Sequence, residues 1–328
     1  MRTLALVLLA GCTGLHLNTI NHSVRKPSNV AVYFTVDKSN GDPVGGLTAD
    51  RFQISEDGSP VSVLESKQVI LNPQVAAAHY TLLLVDMSGS VVQSGQVPQL
   101  QAAAQAFTSR VEQFQKVGVY AFDGSPNLTP IAGFSEHGGA GGVAALGHFH
   151  PKDPSTNLHG AVVQGIQTLE KALETAPQPI RIGTLVVFTD GTDHAARVSR
   201  DDMMKAVNDA PFDIFAIGVG AEIDKGELSS IGRNGTVLQA NPQEVNQAFE
   251  QIAARIEGYT KRYYLLSYCS PARAGQHQLR IEAVTQDGAH GYLEDQFDAT
   301  GFSPNCDPNT PPAFDMKHPT AAKHARAK

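Results

Sequence analysis

Tyr80-Thr81-Leu82-Leu83-Leu84-Val85-Asp86-Met87-Ser88-Gly89-Ser90 is the stretch that decides the fold. Residues 80–85 are almost continuously apolar, the pattern of a strand covered on both faces in a parallel sheet. The run stops at a carboxylate followed by two hydroxyls at alternate positions. Downstream, strand-like and helix-like segments alternate. Residues 99–115 place Leu100, Ala103, Phe107, Val111 and Phe114 at helical spacing, and 117–122 read as a strand. Residues 158–173 form an amphipathic helix, 184–189 a buried strand, 200–210 a helix and 213–219 a strand. A short strand at 237–238 precedes a helix over 244–256 carrying Val245, Phe249, Ile252 and Ile256 on one face. This alternation predicts a doubly wound, Rossmann-like α/β domain over residues 76–259.

The flanks have a different period. Residues 30–36, 52–54 and 61–64 are β-branched, aromatic or alternating, with turns at Gly41-Asp42-Pro43 and Asp57-Gly58-Ser59-Pro60. After Gly258, residues 263–268, 278–284 and 291–297 are strand-like again. The expectation is a small, immunoglobulin-like β-sandwich made from residues 30–75 and 260–302, with the α/β domain inserted in it. Residues 12–29 read as a polar tether. Residues 303–328, Pro-rich and basic at the end, read as a disordered tail.

Of 328 residues, 41% are hydrophobic and 17% charged, and the formal net charge is −7. The length suffices for a real core without a metal or disulfide to hold it. The acidic balance argues against a general nucleic-acid binder, which needs a basic field.

Three oxygens of Asp86, Ser88 and Ser90 follow directly on a strand end, where doubly wound sheets bind ligands. Hard divalent cations take oxygen ligands. Thr156, in Pro154-Ser155-Thr156-Asn157-Leu158, precedes a helix, and Asp190, in Thr189-Asp190-Gly191, ends another strand. This set resembles the metal-ion-dependent adhesion site of von Willebrand factor type A domains. The resemblance covers residues 76–259. It implies one divalent cation held by Asp86, Ser88, Ser90, Thr156 and Asp190, with Mg²⁺ expected first and Mn²⁺ or Ca²⁺ as alternatives. With two carboxylates and otherwise neutral ligands, such an ion keeps a position open for a carboxylate from another molecule. The implied partner is a protein or an extracellular-matrix component, and the implied role is binding rather than catalysis.

His148, His150, His159 and His194 lie near these loops. His148-Phe149-His150 offers two zinc-type ligands without a third at a suitable spacing, so these histidines read as solvent-exposed. Asp153 and Asp193 read as supporting or surface residues.

At the N-terminus, Arg2 precedes an apolar stretch over 4–9, and Leu9-Ala10-Gly11-Cys12 resembles a bacterial lipobox. That resemblance implies a signal peptide over 1–11, lipidation of Cys12 and a stable membrane anchor. Thr13 in place of Asp implies the outer membrane. An apolar first strand with a buried Cys12 is the alternative. Cys269 and Cys306 then remain as an even pair, suited to a bridge in an oxidising compartment or to two thiols in a reducing one.

Three functions are open at this point. The first is a lipid-anchored surface protein with cation-dependent adhesion. The second is a scaffold subunit of an envelope secretion or motility complex using the same site. The third is a metal-dependent hydrolase, for which no nucleophile elbow, P-loop or zinc signature is present.

Overall fold

The computed structural model describes residues 14–135, 139–220, 223–239, 241, 244–310 and 312–314. The chain opens with β1 (Leu15–Arg25), β2 (Asn29–Lys38), β3 (Phe52–Glu56), β4 (Ser59–Pro60), helix α1 (Val63–Ser66) and β5 (Val69–Leu71). Then come β6 (Ala77–Asp86), α2 (Gly89–Gln93), α3 (Val97–Val111), β7 (Lys116–Phe122), β8 (Thr129–Ser135), α4 (Gly139–Gly142) and α5 (Leu158–Glu174). They are followed by β9 (Ile180–Thr189), α6 (Arg200–Asp209), β10 (Asp213–Val219), α7 (Lys225–Ile231), β11 (Gly235–Gln239) and α8 (Val245–Lys261). The chain finishes with β12 (Tyr263–Cys269), β13 (Gln276–Val284) and β14 (His290–Asp298). The described residues fall into two compact units: those of 14–75 together with those of 261–314, and those of 76–260.

The first unit is a sandwich of two antiparallel sheets, ordered β1-β2-β12-β5 and β14-β13-β3-β4. Each sheet joins an early strand to a late one: Phe34 stands opposite Tyr264, and Ile54 opposite Ile281. Alternate residues Val30, Val32, Phe34 and Val36 enter the common core with Phe52, Ile54, Leu266, Ile281 and Phe297. The Phe34, Phe52 and Tyr264 rings meet with centroids 5.3–5.8 Å apart. Asp57 and Gly58 both have positive φ (51° and 77°), as a tight two-residue β3–β4 turn requires. Glu56 is buried there, its carboxyl accepting from the Tyr268 hydroxyl (2.9 Å) and the Ser270 hydroxyl (3.0 Å). Cys269 and Cys306 form a disulfide.

The second unit is a six-stranded sheet, ordered β11-β10-β9-β6-β7-β8, parallel except for β8 at one edge. The apolar run over residues 80–85 lies in β6 and is covered on both faces. Leu83 and Val85 pack into one cluster with Phe107, Phe249 and Ile252, while Leu82 and Leu84 pack into the other with Ile166, Leu169 and Val207. All four are fully buried, so both faces of β6 are covered by helices. The order reverses beside β6, whose neighbours are β7 and β9. The carboxyl ends of β6 and β9 therefore flank the switch point.

Three expectations are corrected. The tether over 12–29 contains β1: Leu15 and Leu17 are buried and alternate with exposed His16 and Asn18, a period of two that pairs the segment with β2. The tail over 303–328 is ordered as far as Phe314 in its described part. The disulfide holds Cys306, the Ser23 hydroxyl donates to the Ala313 carbonyl at 2.7 Å, and Phe314 is buried. Residues 61–64 contain no strand. Only Val61 reaches the core; Val63 and Leu64 are 58% and 89% exposed on α1, and the alternation is too short to impose pairing. No described helix is long and apolar enough to cross a membrane.

Candidate metal centre

Asp86 is the last residue of β6, Ser88 is the N-cap of α2, and Ser90 lies in the first turn of that helix. Asp86 and Ser88 are fully buried, whereas Ser90 is exposed. The Ser88 N–H donates to Asp86 Oδ1 at 2.9 Å, which fixes the carboxylate against its own turn. Ser88 Oγ and Ser90 Oγ are 3.2 Å apart, and the Ser90 hydroxyl donates to Asp190 Oδ1 at 3.0 Å. Four of the five candidate ligands thus share one connected set of contacts.

Thr156 lies at the same end of the sheet on the second loop, which the neighbouring Pro154 ties to the first. The Gly89 N–H donates to the Pro154 carbonyl at 2.8 Å, which presses the first loop against the second. A Cβ at Gly89 would lie 2.9 Å from Pro154 Cβ and 3.0 Å from its carbonyl oxygen, so this approach needs glycine. The second loop is built on Asp123, which is buried. Its Oδ1 accepts from the Ser125 N–H and its Oδ2 from the Lys152 N–H, both at 2.7 Å. Asn157 caps α5, its side chain accepting from the Gly160 N–H at 3.2 Å. Thr156, adjacent to that cap, is 3% exposed.

The third loop follows β9. Thr189, to which the sequence reading gave no role, donates its hydroxyl to Asp86 Oδ2 at 2.6 Å. Its signal was its place beside Asp190 at the end of an apolar run. Burial, reinforced by the negative charge of Asp190, pushes the Asp86 carboxyl up to about 7. Two carboxylates beside three hydroxyls, one of the carboxylates destabilised by burial and by the other's charge, form a donor set that a hard divalent cation relieves. The residues fit such an ion.

The remaining candidates are dispersed. His148, His150 and His194 are exposed. His159 is not: it is 8% exposed, with Nε2 2.8 Å from Glu227 Oε1. The first turn of α5 carries it inward, and α7 supplies the partner. Asp153 pairs with Arg197 at 2.9 Å and accepts from the Ser155 hydroxyl at 2.7 Å. Asp193 accepts from the backbone of His159 and Ala196. Among the described residues, no group of three or more His, Cys, Asp or Glu could hold a metal. The five-residue set differs in taking most of its oxygens from hydroxyls. Cys12 lies outside the described residues.

No protein-family model matches the chain. A segment of 110 residues, 30% of the chain, is 28% identical to inter-alpha-trypsin inhibitor heavy chain H1 of Bos taurus and spans 12% of that protein. Among solved structures, a von Willebrand factor type A protein from Catenulispora acidiphila aligns with a TM-score of 0.45 at 12% identity, covering 90% of this chain and 76% of that one. The manganese-loaded TRAP protein of Plasmodium vivax aligns with a TM-score of 0.45 at 12% identity, covering 73% and 98%. Proximal thread matrix protein 1 of the mussel byssus, with a zinc-occupied adhesion motif, gives 0.43 at 16% identity, covering 62% and 49%. On its own geometry, a doubly wound sheet with Asp86, Ser88, Ser90, Thr156 and Asp190 on loops at its carboxyl end, the unit of residues 76–260 is similar to von Willebrand factor type A domains.

Proposed function

We propose that this chain is a lipid-anchored binding protein of a bacterial envelope that takes a protein or matrix ligand through a divalent cation. The observation that carries the reading is the contact set running from Ser88 through Ser90 to Asp190 beside the buried Asp86. Asp86, Ser88, Ser90, Thr156 and Asp190 are the residues that would hold the ion, with Mg²⁺ the first choice for an oxygen set of this kind. Bound there, the cation supplies a Lewis-acidic position that a carboxylate of the partner completes.

The chain's own residues prepare that position. The Ser88 N–H and the Thr189 hydroxyl orient the two oxygens of Asp86. Ser90 aims Asp190. Gly89 lets the second loop close on the first. The exposed Ser90 and half-buried Asp190 leave this edge of the set open to a partner. Binding rather than catalysis is the role that fits, since the one buried histidine near these loops faces Glu227 and the Val198 carbonyl with its ring nitrogens.

The test is Mn²⁺ titration calorimetry on the full chain. Wild type binds one ion and Asp86→Ala binds none while keeping its fold by circular dichroism. Undiminished binding by Asp86→Ala sinks the site. The anchor is tested separately: Cys12→Ser moves the protein from membranes to the soluble fraction, and continued sedimentation with membranes removes the lipidation from the proposal.

A further inference from the structure

A seam that uses none of the five candidate ligands' side chains joins the loop of Thr156 to the loop of Asp190. The Thr156 carbonyl accepts from the His194 and Ala195 N–H groups, both at 2.9 Å. In the other direction, the His159 N–H donates to Asp193 Oδ1 at 3.0 Å, and Asp193 Oδ2 accepts from the Ala196 N–H at 2.9 Å. The His159 ring closes the seam. Its Nδ1 is 3.1 Å from the Val198 carbonyl, and its Nε2 is 2.8 Å from Glu227 Oε1. Glu227 is itself fixed, its N–H bonded to Asp224 Oδ1 at 2.9 Å and its carboxylate 3.5 Å from Arg200 Nε. The side chains of His159 and Glu227 are 10% and 11% exposed, so these bonds form largely out of water.

We propose that His159, with Asp193 and Glu227, is a positioning set that holds Thr156 and Asp190 at the separation a small divalent cation demands. The inference rests on the cation reading above. Thr156 and Asp190 lie on separate loops, and their spacing is set by what ties those loops together. Residues that orient metal ligands change affinity by ~10–100-fold when removed. Mg²⁺ insists on near-octahedral geometry, whereas Ca²⁺ tolerates longer and looser coordination. Slackening the seam therefore costs Mg²⁺ more than Ca²⁺. A residue that merely stabilised the fold would lower the melting temperature without changing the order of the ions.

The experiment is calorimetric titration of the full chain with Mn²⁺, Mg²⁺ and Ca²⁺ for wild type, His159→Ala, His159→Gln, Glu227→Ala and Asp86→Ala, with melting in chelator alongside. His159→Ala is expected to weaken Mn²⁺ and Mg²⁺ by ~10-fold or more and Ca²⁺ by less. His159→Gln, which keeps a donor able to face Glu227, is expected to recover most of the loss. Wild-type affinity and ion order in a folded His159→Ala overturn the proposal. If His159→Ala does not fold, Glu227→Ala carries the test: the same shift in ion order supports the seam, and unchanged binding overturns it. If Asp86→Ala binds Mn²⁺ like wild type, it is the cation site that fails, and the seam falls with it.

Discussion

The Ser90 hydroxyl donates to Asp190 Oδ1 at 3.0 Å, joining two loops that are 100 residues apart in the chain. Ser90 lies at the exposed edge of the set and Asp86 at its buried end, so the two can be tested independently. Ser90→Ala removes one candidate ligand and one hydrogen bond to Asp190 without opening the core. The expected outcome is a loss of Mn²⁺ affinity by calorimetry with an unfolding free energy in chelator, read by urea denaturation, within about 0.5 kcal/mol of wild type, as for exposed substitutions generally.

Gly89 should be as sensitive as a ligand although it offers no side chain. An added Cβ meets Pro154 at 2.9 Å and must push the second loop away. Gly89→Ala is expected to cost about 1–3 kcal/mol of stability in urea denaturation. Its larger effect should be on cation binding, because Thr156 travels with Pro154. Retention of wild-type affinity would show that the two loops move apart without consequence.

His79, inside β6, gives the α/β unit an acid limit. Burial holds its imidazole down to about 4, from an ordinary value of 6.5. Between those values the unfolded chain binds a proton that the folded chain refuses, so stability falls as pH drops from about 6.5 to about 4 and is fully present above that window. The difference of about 2.5 units corresponds to about 3 kcal/mol. His79→Leu should flatten this limb, read as the change in urea midpoint between neutral and acid pH. An unchanged acid dependence would place the sensitivity elsewhere.

The disulfide should matter to the sandwich unit. Cys269 and Cys306 are 37 residues apart, and closing such a loop is worth about 4 kcal/mol in the chain-entropy model. Cys306→Ser, or reduction, should lower the unfolding midpoint of that unit by a corresponding amount and leave cation binding by residues 76–260 intact. Loss of both together would mean that the units unfold as one.

How much of this was legible in the sequence depended on how many residues enforced each pattern. The run over 80–85 was readable because six neighbours agree and both faces of β6 are covered. The oxygens of Asp86, Ser88, Ser90 and Asp190 were readable because each sits where such a run stops. β1 went unseen because only Leu15 and Leu17 mark its inner face in its first half, while Asn21, His22 and Ser23 look like linker. Residues 61–64 misled because two apolar side chains on α1 face water. His159 read as a loop residue because its partner Glu227 comes 68 positions later, a pairing no local pattern announces.

The cystine encloses the whole β13–β14 hairpin, with its solvent-facing bend at residues 285–289. A protease that clipped this bend would make two polypeptides still joined by sulfur. Such a nicked molecule would run as one band without reductant and as two with it, and the strand that β13 contributes opposite β3 would stay in place. A chain built in this way can survive scission at this exposed bend.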